Sequence, residues 1–191
     1  MKRAFIVHRW DGNPRGDWYP WLKKELENKG FQVIVPAMPN TSEPEMESWV
    51  SYLNQIVGKA DNQTYFISHS IGCQTIMRYI GNLPENTKIG GAVFVAGWLK
   101  LGNLESKEVE EIAKPWLETP INFSKFKKTC NKLTVVLSDN DPYNFVSENS
   151  KIFKDIFGAK VIIENRRGHF TEGDVGKSLP VVLKELLAIA S

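Results

Sequence analysis

Six short apolar runs alternate along the chain with stretches whose apolar residues recur at helical spacing, and this alternation restricts the fold most. The runs are Ala4 to His8, Phe31 to Val35, the run opening at Thr64, Gly91 to Ala96, Leu133 to Leu137 and Lys160 to Ile163. Strands this short and apolar are covered on both faces, as in a parallel sheet. Between them, Trp18, Trp21, Leu22 and Leu26 mark a helix that Asp17 can cap and Gly30 can stop. Met46, Trp49, Val50, Leu53 and Val57 mark a second helix, starting within Ser42 to Glu47 and ending at Gly58. Ile71 to Ile80, Phe145 to Phe157, and Leu179 with Val182, Leu183, Leu186 and Leu187 supply three more. The pattern predicts an α/β chain, a three-layer, doubly wound parallel sheet of about six strands.

Residues 99 to 131 interrupt the alternation. They hold no strand pattern, yet carry Leu101, Leu104, Ile112, Trp116, Leu117, Ile121, Phe123 and Phe126. This segment reads as a helical insertion after the fourth strand, with one or two short helices. Without internal repeats or linkers, residues 1–191 read as one domain.

Composition narrows the function classes. A net charge of +2, with no block of like charge, makes no case for nucleic acid or an anionic membrane surface. No segment offers the roughly twenty apolar residues that cross a bilayer. The apolar run after Met1-Lys2-Arg3 is too short for the core of a signal peptide. Cys73 and Cys130 form neither a metal-ligand spacing nor a disulfide framework. The expectation is a cytoplasmic chain with no cofactor and no metal. No feature calls for a protein partner.

The third strand ends in Ser68-His69-Ser70-Ile71-Gly72 and passes directly into helical spacing. A serine on such a turn has the geometry of a nucleophile elbow, normally G-x-S-x-G, here with Ser68 at the first glycine. Right-handed crossovers bring the C-terminal ends of all the strands to one edge, where such folds bind ligands. Four loops at that edge carry reactive residue types: His8-Arg9-Trp10, Ser68 to Ser70, Ser138 to Pro142, and Gly168-His169-Phe170.

Ser70 needs a base to take its proton as it attacks. His69 should point away from Ser70, and His8 is placed to order its loop, so His169 is the candidate base. Asp141 is the candidate acid, with Pro142 fixing the chain beyond it. The competing Asp139 directly follows the strand and can cap the turn. The order Ser70, Asp141, His169 is that of the α/β-hydrolases. The amide of Ile71 and that of Trp10 are the candidate oxyanion donors. Arg9 stands where a flexible glycine is expected. Trp98 and Leu99, where the insertion begins, are candidate substrate-binding residues.

The chain resembles the small serine hydrolases related to retinoblastoma-binding protein nine, a compact branch of the α/β-hydrolase superfamily. The resemblance rests on the helix Trp18-Tyr19-Pro20-Trp21-Leu22-Lys23-Lys24-Glu25-Leu26, the Ala37-Met38-Pro39 turn, His69-Ser70 with Gly72, Met77-Arg78-Tyr79, Ser138 to Pro142 and Gly168-His169-Phe170. It implies the α/β-hydrolase fold and a triad of Ser70, Asp141 and His169. The implied activity is cleavage of a small-molecule ester or amide through an acyl-enzyme. An acyltransferase would use the same triad, and an interaction protein could keep the fold without useful catalysis.

Overall fold

A computed structural model describes residues 1–191. In chain order the elements are β1 (Arg3–Val7), α1 (Tyr19–Glu27), β2 (Gln32–Ile34), α2 (Met46–Val57), β3 (Thr64–His69), α3 (Ile71–Gly81) and β4 (Gly91–Val95). They continue with α4 (Lys107–Glu118), α5 (Phe123–Thr129), β5 (Leu133–Ser138), α6 (Val146–Asp155), β6 (Lys160–Glu164), α7 (Glu172–Val175) and α8 (Pro180–Ala190). The strands form one sheet in the order β2-β1-β3-β4-β5-β6, with every neighbouring pair parallel. The order reverses direction between β1 and β3, a topological switch point beside the Ser70 turn.

The period of two along a strand sorts its side chains onto two cores. Ala4 and Ile6 of β1, Tyr65 and Ile67 of β3, and Val93 and Val95 of β4 pack with Trp18, Leu22 and Leu26 of α1 and Val182 and Leu186 of α8. Phe5, Val7, Phe66, Ala92 and Phe94 turn the other way, toward Trp49 of α2, Ile76 of α3, Trp116 of α4, Phe126 of α5 and Phe153 of α6. Helices therefore cover both sheet faces, giving the three layers. Trp18 lies wholly in the core, and Trp21 is half-buried beside it.

The insertion carries two helices. Ser106 caps α4 by accepting from Val109 N at 3.3 Å, and Asn122 caps α5 by accepting from Lys125 N at 3.0 Å. Two expectations are corrected. Asp17 does not cap α1: its φ of 50° is left-handed, whereas an N-cap is extended. The helix expected over Phe145 to Phe157 is α6, which runs only from Val146 to Asp155. The short α7 leaves no trace in the apolar spacing, because four residues carry no periodicity. Its signal is the capping box, in which Thr171 and Asp174 satisfy each other's main chain.

Candidate active site

The strand-to-helix turn places Ser70 at φ 53° and ψ −117°, a conformation that non-glycine residues avoid and functional sites retain. Ser70 N donates to Val95 O of β4 at 2.9 Å, and Ser70 O accepts from Cys73 N at 2.9 Å. The elbow is thus held to the neighbouring strand and to its own helix. Ser68, at the position the elbow pattern gives to glycine, is fully buried, and its hydroxyl donates to Cys73 Sγ at 3.0 Å. That bond satisfies the buried hydroxyl, which would otherwise carry a desolvation cost.

His169 Nδ1 lies 3.0 and 2.9 Å from the two carboxylate oxygens of Asp141. A carboxylate only accepts, so Nδ1 carries the proton and Nε2 keeps its lone pair. The Asp141 side chain is 1% exposed and that of His169 12%. Asp141 also accepts from Tyr143 N at 3.1 Å. Asp139 accepts from Arg166 N at 2.7 Å and bonds main chain rather than the imidazole. Asn140 Oδ1 accepts from Gly168 N at 2.8 Å, and Ser138 Oγ accepts from Arg167 N at 2.9 Å, so the acid loop holds the histidine loop. Ser70 and His169 line the same cleft, with no direct hydrogen bond between them in this resting geometry. Such bonds are often long before substrate binds.

The first loop turns between Arg9 O and Gly12 N, 3.0 Å apart. Arg9 does not leave this loop slack. Its Nε donates to Asp17 Oδ2 at 2.9 Å, and its Nη1 donates to Trp10 O at 3.0 Å. Trp10 and Ile71 both line the cleft, Ile71 at the amino end of α3 where the helix dipole favours negative charge.

The cleft encloses about 220 Å³. Trp98, Leu101, Leu104 and Val109 form its apolar wall, and Asp11, Glu105 and Tyr143 bring polar groups. Leu99, expected beside Trp98, is not part of it. Asn149 Oδ1 accepts from Leu99 N at 2.8 Å, and the Leu99 side chain packs against the core. Glu105, Val109 and Tyr143 escaped the sequence reading; Tyr143, two residues past Asp141, had proximity as its one signal. No group of three or more His, Cys, Asp or Glu side chains is arranged to hold a metal ion.

His8 and His69 are fully buried. His8 Nε2 accepts from Met38 N at 3.1 Å, ordering its loop. Burial holds His8 below its ordinary pKa of 6.5. Burial and the nearby His169 hold His69 well below it. An unfolded chain therefore takes up protons near pH 6.5 that the folded chain refuses. Stability is expected to fall as pH drops below about 6.5, until each histidine's lowered folded-state pKa is reached, with His69 the larger contributor. Urea unfolding between pH 7.5 and 5 checks this, and a stability constant across that window would contradict it.

The profile of a family described as serine hydrolase matches residues 4–187. The Bacillus subtilis (strain 168) protein YdeN, itself named only provisionally as a hydrolase, is 28% identical over 193 residues, covering 100% of this chain and 97% of the relative. The crystal structure of the ydeN gene product from B. subtilis superposes with a TM-score of 0.88 at 27% identity, over 99% of this chain and 98% of that one. Est1E from Butyrivibrio proteoclasticus superposes with a TM-score of 0.73 at 12% identity, over 99% and 88% of the two chains, a likeness of fold.

Proposed function

The chain belongs to the serine hydrolase family and has the α/β-hydrolase fold, and from that premise we propose that it cleaves small carboxylic esters through an acyl-enzyme on Ser70. The observation that carries this reading is His169, locked by Asp141 in the tautomer of a base and sharing a cleft with a serine on a strained elbow.

In the proposed cycle, Ser70 Oγ attacks the ester carbonyl as His169 Nε2 takes its proton. Asp141 steadies the imidazolium that forms. The tetrahedral oxyanion is met by the amides of Ile71 and Trp10, in a loop that the Arg9 guanidinium braces through the Trp10 carbonyl. Collapse expels the alcohol, which takes the proton from Nε2. Water then attacks the acyl-enzyme with His169 as base, releasing the acid and restoring Ser70. Each proton and electron pair is accounted for by substrate, water and these side chains, so the cycle calls for no cofactor.

The wall of Trp98, Leu101, Leu104 and Val109 favours an apolar acyl or alcohol group, and about 220 Å³ favours a small one. In this reading residues 1–191 form a single catalytic domain, since the three groups come from the ends of β3, β5 and β6. The proposed setting is the cytoplasm, consistent with two buried free thiols, Cys73 and Cys130. No helix is long and apolar enough to cross a membrane.

A fluorophosphonate probe tests the proposal, with the labelled peptide located by mass spectrometry. Labelling at Ser70, lost in Ser70→Ala, is the expected result. Folded protein that stays unlabelled would sink the proposal and favour an interaction protein on the same fold. A graded series of p-nitrophenyl esters then reads the acyl preference, with short chains expected to be cleaved fastest.

A further inference from the structure

The proposed mechanism uses neither Tyr19 nor His69, although both are fully buried and bonded to its loops. His69 Nε2 lies 2.6 Å from the carbonyl oxygen of His169, and His69 Nδ1 lies 2.7 Å from Tyr19 Oη. Tyr19 Oη in turn accepts from Arg9 N at 3.3 Å. Polarity orients the whole set. A carbonyl only accepts, so Nε2 carries the proton of a neutral ring. Nδ1 then has a lone pair, the tyrosine hydroxyl donates to it, and the hydroxyl oxygen is left to receive the Arg9 amide.

The chain of bonds joins two loops that contribute to the site from opposite sides. Arg9 immediately precedes Trp10, the proposed oxyanion donor, and His169 is the proposed base. We propose that Tyr19 and His69 are positioning residues, which hold the oxyanion loop and the base loop at a fixed separation. This rests on the reading of Ser70 and His169 given above.

Independent contacts point the same way. The rings of His69 and His169 lie 5.4 Å apart, with Trp18 on another side of His69 at 5.7 Å. Trp18 Nε1 donates to Phe170 O at 3.1 Å, so two consecutive carbonyls of the base loop are held. Asp17 completes the bridge, taking Arg9 Nε on one oxygen and Glu172 N, at 2.7 Å, on the other. A site that works by fixed donors loses rate when their spacing drifts, while a loosely bound ester loses little affinity.

The test compares wild type with Tyr19→Phe, His69→Gln and His69→Phe, each shown to be folded by its melting curve. Tyr19→Phe keeps the ring and deletes the hydroxyl. It is expected to lower kcat for p-nitrophenyl acetate by about tenfold with KM changed by less than about twofold. His69→Gln keeps an N–H for the His169 carbonyl and is expected to retain more activity than His69→Phe. Nitrogen NMR of the wild-type imidazoles should show His69 protonated at Nε2 alone, a readout that needs no activity. Tyr19→Phe with wild-type kcat, or a His69 protonated at Nδ1, would overturn the positioning role in an otherwise active enzyme. A wild type inert to both probe and ester would overturn the hydrolase reading itself, and the positioning role with it.

Discussion

Ser70→Ala is expected to cut kcat for ester hydrolysis by on the order of 10⁴-fold or more while leaving KM nearly unchanged. The reason is specific to where the charge develops. An alanine keeps the elbow, the cleft wall and the oxyanion donors, so ground-state binding survives, but no covalent path remains. His169→Ala is expected to cost a similar factor, because the serine hydroxyl then has nowhere to send its proton. The double variant should be little worse than either single one, since serine and base act as a unit.

The acid is tested separately. Asp141→Asn offers the imidazole a neutral amide in place of a carboxylate and frees Nδ1 to lose its proton. A loss of about 10⁴-fold in kcat is expected from the wrong tautomer. Asp139→Asn keeps an acceptor for Arg166 N and should stay within about twofold of wild type. Steady-state kinetics on one chromogenic ester decides all five variants. Equal losses at Asp139 and Asp141 would remove the assignment of the acid.

The largest expected effect on folding is at Gly72. A Cβ built there would lie 2.5 Å from Val7 O and 2.9 Å from His8 O. Both are main-chain atoms at the end of β1, which cannot rotate aside as a side chain can. The first turn of α3 crosses β1 at closest approach here, and even one methyl group must push helix and strand apart. Gly72→Ala is expected to cost about 3 kcal/mol, the upper part of the range for overpacking a close-packed interior. For a domain of this size that lowers the melting temperature by roughly 10 °C. The same displacement moves the oxyanion loop, which leaves from the end of β1, so activity should fall in the surviving folded fraction as well. Calorimetry with active-site titration separates the two effects. An unchanged melting temperature would show that the helix can retreat at little cost.

Local chemistry explains what could be read directly from the residues. Apolar runs of strand length and helices at 3.6-residue spacing depend on near neighbours, so six strands, their parallel direction and the shared C-terminal edge were legible, whereas the strand order came from the folded chain. The elbow was legible for the same reason: strand, small polar turn and helix follow one another within nine residues, Thr64 to Gly72. The loops bearing Ser70, Asp141 and His169 then leave from one edge, because parallel strands put all their C-terminal ends on the same side.

Contacts between distant segments were decided by the folded chain alone. Asp17 precedes a helix and has a capping side chain, but its left-handed backbone turns it to Arg9 and to Glu172, 155 residues away. His69 reads as a poor base from its position next to Ser70. Its bond to the His169 carbonyl, 100 residues on, had no local signal. Trp98 reaches the cleft while Leu99 turns into the core, since consecutive residues diverge once Asn149 takes the intervening amide. Local periodicity determined the elements and the edge at which the reactive loops gather. The packing of those elements, with the twist and register that set side-chain direction to within an ångström, decided which groups touch.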